Sequence, residues 1–154
     1  MASVYTREEL ISHRNQWRQQ GKTVVFTNGC YDLLHAGHIR LLERARSLGD
    51  ILILALNSDA SVRLSKGPSR PIISERERGA LGAALDAVDA VVFFDEETPR
   101  DLIAVVLPDI LVKGADWSHF VAGREEVEAA GGKVITTPIE PGLSTTNIVE
   151  RILA

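Results

Sequence analysis

Cysteine is nearly absent, since Cys30 is the single one among 154 residues. It cannot close an intramolecular bridge or complete a zinc quartet, which excludes a disulfide-stapled secreted module and a zinc finger. Aromatic residues make up only 5% of the chain, and none alternate with basic residues as they do in a single-strand binding groove. Positive charge is not in excess: 17 Lys and Arg face 21 Asp and Glu, a net charge of −4. Nothing therefore draws the chain generally to a nucleic-acid backbone, nucleic acid is not an expected partner, and any anion site must be local. The longest purely aliphatic stretch, residues 51–56, has six residues, far short of the roughly 20 that span a bilayer. No membrane partner is expected. Residues 1–10 carry Arg7, Glu8 and Glu9 and lack the apolar segment of a signal peptide, so the expected location is cytoplasmic. Repeats, low-complexity tracts and long Pro/Gly linkers are also missing, and residues 1–154 read as one domain. What is present is a hydrophobic content of 45%. At this length a fold buries about 68–70% of its unfolded surface, enough to need neither disulfide nor structural metal.

Strand-like and helix-like patterns alternate along the chain. Thr6 with Glu9 forms a capping box before a helix that ends near Gly21. Residues 23–27 are β-branched or aromatic and read as a strand that Asn28 and Gly29 break into a loop. A helix over 37–48 follows, with Gly49 placed for a left-handed C-cap. Residues 51–56 form a second strand, leading into a short helix and a mobile loop around Gly67, Pro68 and Pro71. Ser74 with Glu77 opens the next helix, and residues 90–94 are a third strand. Thr98 as N-cap and Pro99 in the first turn introduce a helix closed by Pro108. Strands over 110–112 and 134–136 flank a helix near 124–130, and residues 144–153 are the last helix. Five near-continuous apolar strands separated by helices predict an α/β fold: a doubly wound, five-stranded parallel sheet with helices on both faces. In such sheets ligands sit at the carboxyl ends of the strands beside the topological switch point. That rule selects residues 27–38, 57–59 and 113–117.

The densest of these stretches is Thr27-Asn28-Gly29-Cys30-Tyr31-Asp32-Leu33-Leu34-His35-Ala36-Gly37-His38. Histidines three apart at a helix start share a face with unpaired backbone N–H groups and the positive dipole end, an arrangement suited to phosphate. Gly29 and Gly37 remove side chains where phosphate oxygens would otherwise meet Cβ atoms. The same pattern, stripped of its context, is a helix start with two surface histidines.

The segment resembles the HxGH signature of the cytidylyltransferase-like nucleotidyltransferases, and the resemblance covers nearly the whole chain. Within that superfamily the runs 26–32, 57–59, 67–76, 112–117 and 144–146 look most like the heptose 1-phosphate adenylyltransferases, which often occur fused to a sugar kinase. The resemblance implies transfer of AMP from ATP to a heptose 1-phosphate with release of pyrophosphate, for lipopolysaccharide or other surface glycans. It implies His35, His38 and Lys66 as catalytic groups, with Lys66 on a loop that closes over the phosphates. Nucleotide and phosphate contacts are then expected from Thr27, Asn28, Gly29, Cys30, Asp32 and Gly37. A second set would come from Lys113, Gly114 and Asp116, and a third from Ser144, Thr145 and Thr146. Asn57, Asp59, Arg70 and Arg76 are expected to contact the acceptor. Mg²⁺ would ride on the phosphates with no direct protein ligand, bound phosphate should favour the imidazolium form of the histidines, and a homodimer and a separate sugar kinase are expected partners. Plainer readings stand beside these: Lys66 as an exposed helix-end lysine, Lys113 as a strand-end charge, Trp117 as a core plug, Ser144 as an ordinary N-cap. Cys30 reads as a small buried residue and not a nucleophile. Ile139 stands where related glycerol phosphate cytidylyltransferases carry an arginine. The alternatives are a cytidylyltransferase acting on glycerol 3-phosphate and a non-catalytic nucleotide-binding module.

Overall fold

The apolar run beginning at Val24 lies at the centre of a parallel sheet, in a computed structural model that describes residues 1–114, 120–138 and 143–154. Its strands are β1 (Ser3–Tyr5), β2 (Val24–Gly29), β3 (Ile51–Asn57), β4 (Ala90–Phe94), β5 (Ile110–Gly114) and β6 (Lys133–Thr137). Their spatial order is β1-β4-β3-β2-β5-β6, and every pairing is parallel. The helices are α1 (Arg7–Gln19), α2 (Ala36–Ser47), α3 (Asp59–Lys66), α4 (Glu75–Ala84), α5 (Arg100–Val106), α6 (Arg124–Ala129) and α7 (Thr145–Leu153). Both sheet faces are apolar because alternate strand residues serve two separate cores. Val24 and Phe26 of β2 join Ile53 of β3 and the buried Leu10, Ile103 and Val127 of α1, α5 and α6. Val25, Leu52 and Leu54 face the other way, against Leu42 of α2 and Ala83 of α4. Period-2 alternation therefore disappears into continuous hydrophobic runs.

The sheet has six strands where five are expected from the sequence. The addition is β1, whose three residues pair with β4 through Ser3, Val4 and Tyr5. With Ser3 exposed and Val4 48% exposed, this segment has no hydrophobic period to read; it is a strand because β4 offers a free edge. Two local expectations also change. Gly49 does not adopt a left-handed conformation; a Cβ there would lie 2.7 Å from the Thr23 carbonyl oxygen, so close approach to the neighbouring strand is what requires glycine. The capping position of α5 falls on Pro99, without a side-chain cap, and Thr98 precedes it. Among the described residues, no helix is long and apolar enough to cross a membrane.

Candidate active site

The chain leaves β2 for its neighbour β3, moves outward to β4, and returns through α5 to β5 on the other side of β2. The switch point thus falls between β2 and β5, and a cleft of about 500 Å³ opens at their carboxyl ends. Thr27, Asn28, Cys30 and Asp32 line it from the end of β2. The start of α2 adds His35, Gly37 and His38, and β3 adds Asn57. Lys66 faces it as the last residue of α3, not from the loop expected for it, and Arg70 from the segment that follows; Lys113 and Gly114 face it from β5, and Ser144, Thr145 and Thr146 from the start of α7. Three sequence candidates do not line the cleft: Gly29, Asp59 and Arg76, the last of which is exposed. Asp116, Trp117 and Ile139 lie outside the described residues.

The two histidines cap their own helix. His35 is the N-cap residue of α2 and its Nδ1 accepts from the Gly37 N–H at 3.1 Å, while His38 Nδ1 accepts from the His35 N–H at 3.2 Å. The rings stack with centroids 3.8 Å apart, and Tyr31 lies against His38 at 4.6 Å. Because each Nδ1 is an acceptor, each ring is the Nε2–H tautomer, and Nε2 is the nitrogen left for a ligand. Burial, helped by the neighbouring His35, pushes the His38 imidazole down to about 4, and burial lowers His35 as well. Both rings are neutral near pH 7 in the free protein. The Gly37 and His35 N–H groups are spent on the imidazoles, so they are not among the unpaired helix-start donors expected from the sequence.

The glycines serve these rings. A Cβ on Gly29 would meet Tyr31 Cε2 at 2.9 Å, and one on Gly37 would meet His35 Cε1 at 2.9 Å. Tyr31 itself sits at φ 49°, a left-handed conformation that costs an L-residue roughly 1–2 kcal/mol and is held by packing around its buried ring. Burial keeps its phenol protonated and pushes the Cys30 thiol up, so neither is an anion in the cleft.

Asp32 is buried, and its carboxylate accepts from the Ile72 N–H at 2.8 Å and the Ile73 N–H at 2.7 Å, with Arg70 at 4.0 Å. It ties the segment after α3, which carries Arg70, to the β2 loop. Thr145 Oγ1 donates to the Leu33 carbonyl at 3.2 Å and joins α7 to the same loop, while Ser144 Oγ caps α7 through the Asn147 N–H at 3.0 Å. Lys113 Nζ reaches the Asn28 carbonyl at 3.4 Å, and Asn28 Oδ1 is buried without a partner among the described residues. Such an acceptor is costly to leave unpaired, which suits a ligand donor or water.

A family model described as cytidylyltransferase-like matches residues 26–151. The chain belongs to the cytidylyltransferase-like family. It is a nucleotidyltransferase. The chain is 55% identical to the bifunctional protein HldE of Syntrophotalea carbinolica over 153 residues, which is 99% of this chain and 31% of that protein. It is 58% identical to the HldE of Trichlorobacter lovleyi, again over 99% of this chain and 31% of that one. The chain therefore spans about a third of the length of these relatives. Among solved structures, the lipopolysaccharide core biosynthesis protein of Thermoplasma volcanium superposes with a TM-score of 0.64 at 29% identity, covering 78% of this chain and 98% of that one. The pantoate-beta-alanine ligase of Francisella tularensis shares the fold alone, with a TM-score of 0.67 at 18% identity over 99% of this chain and 79% of that one.

In this cytidylyltransferase-like chain Arg78 is a further site residue, one that the sequence motifs do not single out. Its guanidinium is fully buried and donates to the carbonyls of Ile73 (2.9 Å), Cys30 (2.8 Å) and Asn57 (2.7 Å) and to Asp59 Oδ1 (2.9 Å). One side chain thus joins the ends of β2 and β3 to the segment that carries Arg70, and Asp59 serves this clamp. The signal was available in the small residues Gly79, Gly82 and Ala83, which mark the buried face of α4 that Arg78 shares and Arg76 does not.

Proposed function

We propose that this nucleotidyltransferase transfers AMP from ATP to a heptose 1-phosphate. An oxygen of the sugar phosphate attacks the α-phosphorus in line; the new P–O bond forms as the bond to the β-phosphate bridging oxygen breaks, and pyrophosphate leaves. The observation that carries the reading is the stacked pair His35 and His38, each with Nδ1 engaged and Nε2–H left to donate, in one cleft with Lys66, Arg70 and Lys113. Two like unit charges at 4 Å repel by about 1 kcal/mol in water and about 4 kcal/mol at an effective dielectric of 20. Fixed donors and cations offset that repulsion between acceptor phosphate and triphosphate without reorganising during the reaction.

His35 and His38 would donate from Nε2 to oxygens of the transferred phosphoryl group. Thr146 and the first turn of α7 would hold a second phosphate, with Lys66 closing over the pair. A divalent ion fits as cargo of the phosphates, because among the described residues no three His, Cys, Asp or Glu converge as a cage. Bound there, Mg²⁺ would neutralise part of the triphosphate charge. The acceptor reading draws support from the HldE relatives and the Thermoplasma volcanium neighbour, whose names concern the bifunctional protein and lipopolysaccharide core biosynthesis. A homodimer, and a sugar kinase that supplies the acceptor, belong to the same proposal. Magnesium-dependent pyrophosphate release from ATP that requires a heptose 1-phosphate tests it.

A further inference from the structure

Two carboxylates line the cleft among the described residues, Asp32 and Glu97. Asp32 is saturated by two backbone N–H groups and flanked by Arg70. Glu97 is exposed and makes no side-chain bond to any described residue. A free carboxylate facing a phosphate would oppose binding, by about 1 kcal/mol at 4 Å in water and more in a drier cleft. Its position must therefore be used for something other than phosphate.

The backbone just before Glu97 is anchored by α3. Ser61 Oγ donates to the Glu96 carbonyl and accepts from Asn57 Nδ2 at 2.9 Å, in a buried chain that starts on a cleft residue. The Glu96 carboxylate turns away to form a two-pronged pair with Arg7 at 2.9 and 3.1 Å. Its neighbour Glu97 is thus left on the cleft side, and Thr98 beside it also lines the cleft. The Thr98 hydroxyl is not spent on capping α5, whose capping position is Pro99. Glu97 and Thr98 follow β4, on the opposite flank of β2 from Lys113 of β5. A paired acceptor and hydroxyl on the flank away from Lys113 has the chemistry that recognises neutral hydroxyls: a carboxylate accepts from adjacent O–H groups and a threonine hydroxyl both donates and accepts.

We infer that Glu97 and Thr98 are the acceptor-specificity residues, binding the hydroxyl-bearing end of a polyhydroxylated sugar phosphate whose phosphate lies toward His35 and His38. The inference rests on the adenylyl-transfer reading for its acceptor, and it adds which end of the cleft that acceptor occupies. Heptose 1-phosphate is titrated by calorimetry into the full chain saturated with magnesium and a non-hydrolysable ATP analogue, for wild type, Glu97→Gln and Glu97→Ala. Glu97→Ala should weaken acceptor binding about 10- to 100-fold, the usual worth of a hydrogen bond to a charged group. Glu97→Gln should fall between, because its amide oxygen still accepts, and the affinity for the ATP analogue should hold. Acceptor affinity in Glu97→Ala within twofold of wild type overturns the inference. So does an equal loss for the ATP analogue, or a shifted magnesium requirement, which would make Glu97 a metal-side residue. If wild type binds heptose 1-phosphate no better than inorganic phosphate, the function reading fails instead. The same titration with glycerol 3-phosphate then decides Glu97: weakening in Glu97→Ala sustains a hydroxyl-binding role, and unchanged affinity ends it.

Discussion

Replacing Arg78 with alanine should both loosen the fold and misplace the active site. The substitution strips donors from the Ile73, Cys30 and Asn57 carbonyls and from Asp59, whose side chain is 28% exposed while that of Arg78 is 0%. Water can reach Asp59 but not replace a buried guanidinium across three carbonyls, so the loss should approach the 3–5 kcal/mol typical of breaking a buried pair. With an unfolding entropy of about 2.1 cal/mol/K per residue over 154 residues, that is a fall in Tm of about 9–15 °C. Arg78→Lys keeps the charge beside Asp59 but not the planar fork, and should lose roughly half as much. Assayed well below its melting point, Arg78→Ala should also turn over about 10²-fold more slowly, because the loop leading to the His38 helix and the segment bearing Arg70 would no longer be held in register. Paired thermal melts and single-temperature kinetics check both effects. A variant melting within about 2 °C of wild type, or one with normal turnover, would refute the clamp.

Three further outcomes follow from the same geometry. His38→Ala should lower kcat by roughly 10²–10³ while ATP affinity changes far less, and near-normal turnover from a folded variant would contradict a donor role. The folded His38 pKa of about 4 lies below the ordinary value near 6.5, so its contribution to stability is present above pH 6.5 and is lost as pH falls toward 4. The ceiling is about 3 kcal/mol, reduced by solvent screening, and urea melts of wild type and His38→Gln between pH 7 and 4 should differ in slope accordingly. Gly29→Ala should cost about 1–3 kcal/mol and slow turnover, because its Cβ displaces the Tyr31 ring against His38; a neutral substitution would show that the ring yields freely.

The central strands were legible because parallel strands buried on both faces appear as continuous aliphatic runs, and the turn residues around them marked where each run ended. β1 was not, since three residues with exposed Ser3 and Val4 have no period and become a strand only through pairing with β4. The spacing of His35 and His38 pointed to the right helix start, yet not to the way the rings consume backbone donors; a capping pattern built from two histidines has no composition signal. The glycines were recognised as necessary, but the crowding comes from the rings of Tyr31 and His35, which only the three-dimensional loop brings close. Arg76 was expected from the family resemblance alone, which stops short of Arg78; the buried face of α4 is what sets Arg78 apart. Thr98 was read as a cap, but the capping position is Pro99 and Thr98 lines the cleft.

The most direct test of the central claim is pyrophosphate release by the purified chain with magnesium, crossing ATP, CTP and GTP against heptose 1-phosphate, mannose 1-phosphate and glycerol 3-phosphate. Rapid release is expected only for ATP with heptose 1-phosphate, with a product carrying AMP joined to the sugar phosphate. Equal turnover of CTP with glycerol 3-phosphate, or no release from any pair with the folded protein, would contradict it.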